Sequence, residues 1–205
     1  MIVTQDPAAV ASLLTGQPGS LVAYPTETFY GLGVRIADNA ALEKLLRVKG
    51  RNAAKGMIVL VADLTMAYSI ARISSTLRSI LEKLWPGPIS VVLHSLENVD
   101  PLIAPQGKIA LRISPHNLAT SLVQLAGPIT STSANRPGEP PACTAQNVAG
   151  QGLDIDAILD GGETPGGKPS TLIDLTVWPP VCLREGAVPF QEILGVISQP
   201  PPLLG

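Results

Sequence analysis

Apolar runs with the length of a strand alternate along this chain with longer segments whose apolar positions recur at helical spacing. Asp6 to Leu14 reads as a helix, with Asp6 as its N-cap and Pro7 at the first helical position. Gly16 to Gly19 closes it, and Leu21-Val22-Ala23 follows as a short buried strand. A second helix is predicted over about Asn39 to Val48, capped by Asp38 and stopped by Gly50. Met57 to Ala62 is a continuous apolar run of strand length. Ser75 to Leu84 places Leu77, Ile80, Leu81 and Leu84 at helical spacing, and Trp85-Pro86-Gly87-Pro88 breaks that helix ahead of a strand over Ile89 to Leu93. Lys108 to Ile113 alternates as a strand, with Ala110 and Arg112 opposite Ile109, Leu111 and Ile113. Asn117 to Leu125 reads as a helix and Pro128 to Thr132 as one further strand. Beyond a proline-rich loop, Arg136 to Ala142, comes a short helix capped by Thr144, then short strands at Ala157 to Leu159, Thr171 to Thr176 and Val181 to Leu183. No repeat or linker-like shift divides the chain. The pattern predicts one α/β domain over residues 1–198, a twisted open mixed sheet flanked by helices, with a loose tail over 199–205.

Composition narrows the function classes. Of 205 residues, 45% are hydrophobic and 15% charged, and the formal net charge is -2, which suits a globular protein with a sizeable core. That balance argues against a broad basic surface for nucleic acid. Cys143 and Cys182 lie far apart with no CxxC or histidine spacing, so buried thiols of a reducing compartment are expected rather than a disulfide or a metal site. The N-terminus shows no secretory pattern, and no stretch approaches the roughly 18 uninterrupted apolar residues that suggest a membrane span. A cytoplasmic location is expected, with no membrane partner.

Candidate chemistry concentrates in three places. Tyr24-Pro25-Thr26-Glu27-Thr28-Phe29-Tyr30-Gly31-Leu32-Gly33 sets hydroxyls, a carboxylate and glycines just past a strand end, where open α/β sheets place small-molecule sites; a capped strand-to-loop turn accounts for the stretch equally well. The basic cluster Arg47, Lys49, Arg51 and Lys55 lies at a helix end, where cations complement the macrodipole. Leu42, Leu45 and Leu46 define the apolar stripe of that helix, and Lys49 falls near its centre, so its ammonium is directed inward. A bound anion or a buried salt bridge would each relieve the cost of burying it. Thr130-Ser131-Thr132-Ser133-Ala134-Asn135 is a run of hydroxyls and an amide able to hold carboxylate, phosphate or ribose oxygens; an ST-turn accounts for it equally well. Two other patterns fail. Gly162 to Lys168 matches the start of a P-loop, but Pro169 stands where a hydroxyl is required and a strand follows where a helix must. Gly31-Leu32-Gly33 lacks the third glycine of a dinucleotide fingerprint, since Ile36 stands there. Gly161 to Lys168 reads instead as a glycine-rich loop, a candidate lid.

Taken in order, Tyr24 to Gly33, Lys49-Gly50-Arg51, Trp85 to Pro88, Arg112, Ser131 to Asn135, Ser170-Thr171 and Leu183-Arg184-Glu185-Gly186 resemble the YrdC-like threonylcarbamoyl-AMP synthases over about Leu21 to Gly186. The resemblance implies a catalytic domain alone, with a concave nucleotide-binding cleft. It also implies a reaction: L-threonine, bicarbonate and ATP give threonylcarbamoyl-AMP and pyrophosphate, with Mg²⁺. The product would pass to a transferase that builds N6-threonylcarbamoyladenosine at tRNA position 37, and contact with tRNA is implied as an option. By the same resemblance, Lys49 and Arg51 are the catalytic cations. Arg51, Lys55, Ser133, Asn135 and Arg184 contact nucleotide, and Thr28, Arg112, Ser131 and Ser170 contact threonine.

The chemistry asks for positioning and positive charge rather than a nucleophilic side chain, because the threonine carbamate itself attacks the α-phosphorus. Glu27 is the nearest candidate base; bracing the loop is its other reading. The chain departs from the family pattern at Asn52 and Ser114, where prolines are common, at Arg136-Pro137-Gly138 and at Pro141. Two alternatives stand beside the synthase. One is a hydrogenase-maturation carbamoyltransferase, for which the chain is short and poor in cysteine. The other is a family paralogue acting as an RNA-binding or RNA-maturation factor, for which two Trp, three Tyr and two Phe offer little stacking surface.

Overall fold

The computed structural model describes residues 1–50 and 56–197. Helix α1 (Pro7–Gly16) starts where the sequence places it, with the Asp6 carboxylate accepting from the Ala8 amide. Helix α2 (Asn39–Lys49) is capped by Asp38 through Ala41 and ends at Gly50, whose φ of 55° is left-handed. A short helix, α3 (Leu64–Tyr68), is capped by Asp63; α4 (Ser75–Leu84) is capped by Ser74 and buries the expected Leu77, Ile80, Leu81 and Leu84. Helices α5 (Asn117–Ala126) and α6 (Ala145–Gly150) match the sequence reading, Thr144 capping the latter.

The strands divide between two sheets where the pattern predicts one. The first sheet contains β1 (Ile2–Thr4), β2 (Val22–Tyr24), β3 (Gly31–Gly33), β8 (Thr132–Ser133) and β9 (Ala157–Leu159) in the order β1-β9-β2-β3-β8. The second contains β4 (Ile58–Leu60), β5 (Ile89–His94), β6 (Lys108–Arg112), β7 (Ile129–Thr130), β10 (Thr171–Asp174) and β11 (Val181–Arg184) in the order β11-β10-β5-β6-β4-β7. The run expected as one strand over Pro128 to Thr132 is therefore two. Thr130 pairs with Val59 in the second sheet, and two residues later Thr132 pairs with Leu32 in the first. Ser131 lies at the crossing, its amide donating to Ile58 O at 2.7 Å.

Period-two alternation sorts side chains between two cores. Ala23, Leu32, Val59, Val91, Leu111, Ile158 and Ile173 enter the larger one, together with α2 and α4. Val22, Tyr24, Ala157 and Leu159 turn to the smaller one, beneath α1 and α5. Arg112 stands on the face of β6 opposite Ile109 and Leu111, as the alternation requires. β3 carries too little side chain to announce itself, and the structure shows why. A Cβ on Gly33 would lie 2.7 Å from the buried Tyr24 ring on the neighbouring strand. Tyr24 hydroxyl donates to Thr130 O at 2.8 Å, and burial pushes its pKa up to about 12, so it remains a neutral donor. Helix α7 (Phe190–Val196), not expected from the pattern, closes the described chain against α4. The predicted tail over 199–205 lies outside the described residues, and no described helix is long and apolar enough to cross a membrane.

Candidate active site

A cleft of about 460 Å³ opens where the two sheets meet. Its first wall is the loop between β2 and β3. Thr26 Oγ1 donates to Phe29 O at 2.7 Å, accepts from the Thr28 amide at 3.2 Å and lies 3.1 Å from Thr28 Oγ1. This ST-type turn is closed by its own hydroxyl, so the backbone is satisfied without regular pairing and Thr28 is held against the cleft.

The floor is Arg112, at the end of β6 and only 4% exposed. Its Nη2 donates to Ser131 Oγ at 3.3 Å, and its Nη1 faces Glu27 Oε1 at 3.5 Å. Nε has no hydrogen-bond partner among the described residues. Glu27 itself turns away from the cleft. Its second oxygen accepts from the Ser114 hydroxyl, and the carboxylate acts as counter-ion to the buried guanidinium.

The second wall is the Ser131–Asn135 run, and Lys49 ties it down from behind. The buried ammonium donates to Ser133 O at 2.8 Å, Asn135 O at 2.7 Å and Asn135 Oδ1 at 3.0 Å. Among the described residues, these three contacts are to neutral oxygens of the Ser133–Asn135 segment. Ser133 Oγ donates to Asn135 Oδ1 at 2.6 Å, and Asn135 Nδ2 donates to Arg136 O and Glu139 O. Ser133 lines the cleft, with Lys49 and Asn135 in the layer behind it.

The third wall comes from the start of β10 and the end of β11. Arg184 donates from Nη2 and Nε to Ser170 O at 2.8 and 3.2 Å, and from Nη2 to Ser170 Oγ at 3.1 Å. Ser170 Oγ also lies 2.9 Å from Ser90 Oγ, across the parallel pairing of β10 with β5. The glycine-rich loop runs along the rim. Gly166 donates to Thr28 O, Thr164 to Cys143 O, and Gly167 and Pro169 line the cleft. A strand, β10, follows this loop, in keeping with the rejection of a P-loop. Cys143 and Cys182 are free thiols.

The structure thus brings Thr28, Arg112, Ser131, Ser133, Ser170 and Arg184 to one cleft, with Lys49 and Asn135 immediately behind. Arg51 and Lys55 lie outside the described residues. Ser90 escaped the sequence reading, its one signal being a single hydroxyl interrupting the apolar run Ile89 to Leu93; Thr26 and Ser114 were noted there, but not as site residues. A larger groove, about 680 Å³, lies between α3, α4 and α5, but its lining carries Asp63 and Glu82 and no basic side chain. It is a poor match for an anion.

The Sua5/YciO/YrdC family model, described as "Telomere recombination", matches residues 16–186. The chain belongs to the Sua5/YciO/YrdC family. Among family members, the threonylcarbamoyl-AMP synthase of Pyrococcus abyssi is 40% identical over 186 residues, which cover 88% of this chain and 54% of that protein. The threonylcarbamoyl-AMP synthase of Chromohalobacter salexigens is 37% identical over 170 residues, covering 82% of this chain and 90% of that one. The crystal structure of P. abyssi Sua5 complexed with L-threonine superposes with a TM-score of 0.88 at 36% identity, covering 96% of this chain and 60% of that one. The chain therefore spans little more than half of the Pyrococcus relative and most of the Chromohalobacter one.

Proposed function

We propose that this member of the Sua5/YciO/YrdC family is a threonylcarbamoyl-AMP synthase, a nucleotidyl transfer enzyme that joins L-threonine, bicarbonate and ATP. The observation that carries the reading is Arg112. It is a buried guanidinium at the floor of a hydroxyl-lined cleft, in a fold that superposes on a relative complexed with L-threonine. A planar guanidinium is the natural partner of an amino acid's carboxylate. Thr28, Ser131 and Ser170 supply hydroxyls on the same side for the substrate's remaining polar groups.

In the reaction, the threonine amine adds to the carbon of bicarbonate with loss of water, or to that of carbon dioxide with loss of a proton, giving a carbamate. A carbamate oxygen attacks the α-phosphorus of ATP, the bond to the β,γ-phosphates breaks, and pyrophosphate leaves. Arg184, Ser133 and the Lys49-braced loop form the nucleotide side in this reading, with Arg51 and Lys55 as further cations. The ATP would enter as its Mg²⁺ complex. The described lining offers hydroxyls but no carboxylate, and no group of three or more His, Cys, Asp or Glu that could hold an ion occurs among the described residues, so the triphosphate would carry the metal. The product, a mixed anhydride, is an acyl donor for an amine, which fits transfer to a tRNA adenosine by a separate transferase.

The test is pyrophosphate release by the purified protein. Release that depends on L-threonine and on bicarbonate together is expected; release independent of threonine, or none, would overturn the reading.

A further inference from the structure

Among the described residues, Glu27 is the carboxylate that pairs with Arg112 at the cleft floor; both its oxygens face protein groups, and Oε1 makes no hydrogen bond. Oε2 accepts the Ser114 hydroxyl, and Oε1 faces Arg112 Nη1 at 3.5 Å. Ser114 is 2% exposed and held from two sides: its Oγ accepts from the His116 amide at 3.1 Å, and its carbonyl accepts from Thr120 Oγ1 at 3.0 Å. Because a carboxylate can only accept, the single proton of the serine hydroxyl is directed to Glu27 while the His116 amide donates to one of the oxygen's two lone pairs. The start of α5 thus fixes Ser114, and Ser114 fixes Glu27. Glu27 in turn engages the Nη1 end of the guanidinium. Of the three donors left over, Nε and the second hydrogen of Nη2 share the edge of the guanidinium that meets Ser131, and Nε has no partner among the described residues.

Resting on the synthase reading above, we infer that Glu27 is a positioning residue rather than the base of the reaction. With Ser114 it holds Arg112 by one end of its fork, so that the Nε and Nη2 donors are presented to the threonine carboxylate beside Ser131. Arg112 cannot take this pose unaided. A buried arginine lacking a counter-ion is strongly penalised, and its long side chain has many rotamers to lose. Glu27 is also not among the side chains that line the cleft.

The test compares L-threonine with L-threoninamide, which lacks the carboxylate charge, by calorimetry on the wild-type protein and on Glu27→Gln, Ser114→Ala and the double variant. Glu27→Gln is expected to weaken threonine binding about tenfold or more, the worth of a charge-assisted contact, while leaving threoninamide and ATP binding unchanged. Ser114→Ala, which removes only the hydroxyl, should weaken threonine binding by a smaller factor of the same selectivity, and its effect should shrink in the Glu27→Gln background. In steady-state kinetics the loss falls on the threonine KM, with kcat at saturating threonine retained. Unchanged or tighter threonine binding in Glu27→Gln, equal weakening of threonine and threoninamide, or a collapse of kcat with unchanged KM would each overturn the positioning role. If Glu27→Gln does not fold, Ser114→Ala alone decides by the same selectivity. A wild type without threonine-dependent pyrophosphate release would instead remove the functional reading on which the role rests.

Discussion

At the scale of single residues, Lys49 has the most consequential placement. Its ammonium ends α2 and donates to two backbone carbonyls and one side-chain oxygen of the Ser133–Asn135 segment. Removing it leaves those buried acceptors short of a donor, at about 2–3 kcal/mol. Lys49→Met is therefore expected to lower Tm by several degrees and to raise the KM for ATP together with it, because the wall that includes Ser133 loosens. Lost turnover at an unchanged Tm would place the ammonium on the reacting phosphates instead. Polar clusters at strand ends were legible in the sequence for Thr28, Ser131 and Ser133, and the family resemblance added Arg112, Ser170 and Arg184; all six reach the same cleft. Lone hydroxyls were not. Ser90 sits among Ile89, Val91 and Val92, and Ser114 follows Ile113, so each reads as an ordinary strand or turn residue until its partner from a distant segment is known.

At the scale of elements, the cleft depends on β10 and β11 approaching closely. Gly186, just past β11, allows it: a Cβ there would collide with Pro169 O and lie 2.6 Å from the Ser170 carbonyl carbon, both backbone atoms with no room to yield. Gly186→Ala must push the two segments apart, breaking the Arg184–Ser170 bonds and the 3.0 Å bond from the Gly186 amide to Thr171 Oγ1. A loss of about 2–4 kcal/mol is expected, with weakened ATP binding. Gly150→Ala, at a site where a Cβ meets nothing within 4 Å, is the control and should leave both unchanged. Chemical denaturation and nucleotide titration of the two variants check this. Capped helices such as α2 and α4 were readable because caps and apolar spacing are local signals. The division of strands into two sheets was not. The segment from Ile129 to Ser133 looks continuous in sequence, and only pairing with Val59 on one side and Leu32 on the other decides where it crosses.

For the whole molecule, the pH dependence of stability follows from three groups that join separate elements. His116 opens α5; burial disfavours its imidazolium, outweighing the opposing pull of the Glu27 carboxylate, and holds its pKa below the usual histidine value. Burial alone would raise the Asp156 carboxyl, but the Leu21 amide and the Lys44 ammonium outweigh it and hold the pKa below the usual carboxylate range. Asp174 is in the same position: burial would raise it, while the Thr176 hydroxyl and amide, with Lys108, bring it down. For each group the unfolded chain binds protons more readily than the folded one. Stability is therefore complete above the group's ordinary value and is lost as pH falls from there through its depressed folded value. Histidine's ordinary value is about 6.5 and aspartate's about 3.9, so the loss comes in two stages. Thermal unfolding should show a level Tm near pH 8, a first decline below about pH 6.5 and a second below about pH 4. His116→Asn, which keeps a residue suited to the helix start, should remove the first decline. Asp156→Asn should lower Tm at neutral pH and converge with wild type in acid, because protonation has by then cost the wild type the same interaction. A His116→Asn curve parallel to wild type between pH 7 and pH 5 would show that the imidazole is not held neutral, and would remove His116 from the account of why this fold weakens in mild acid.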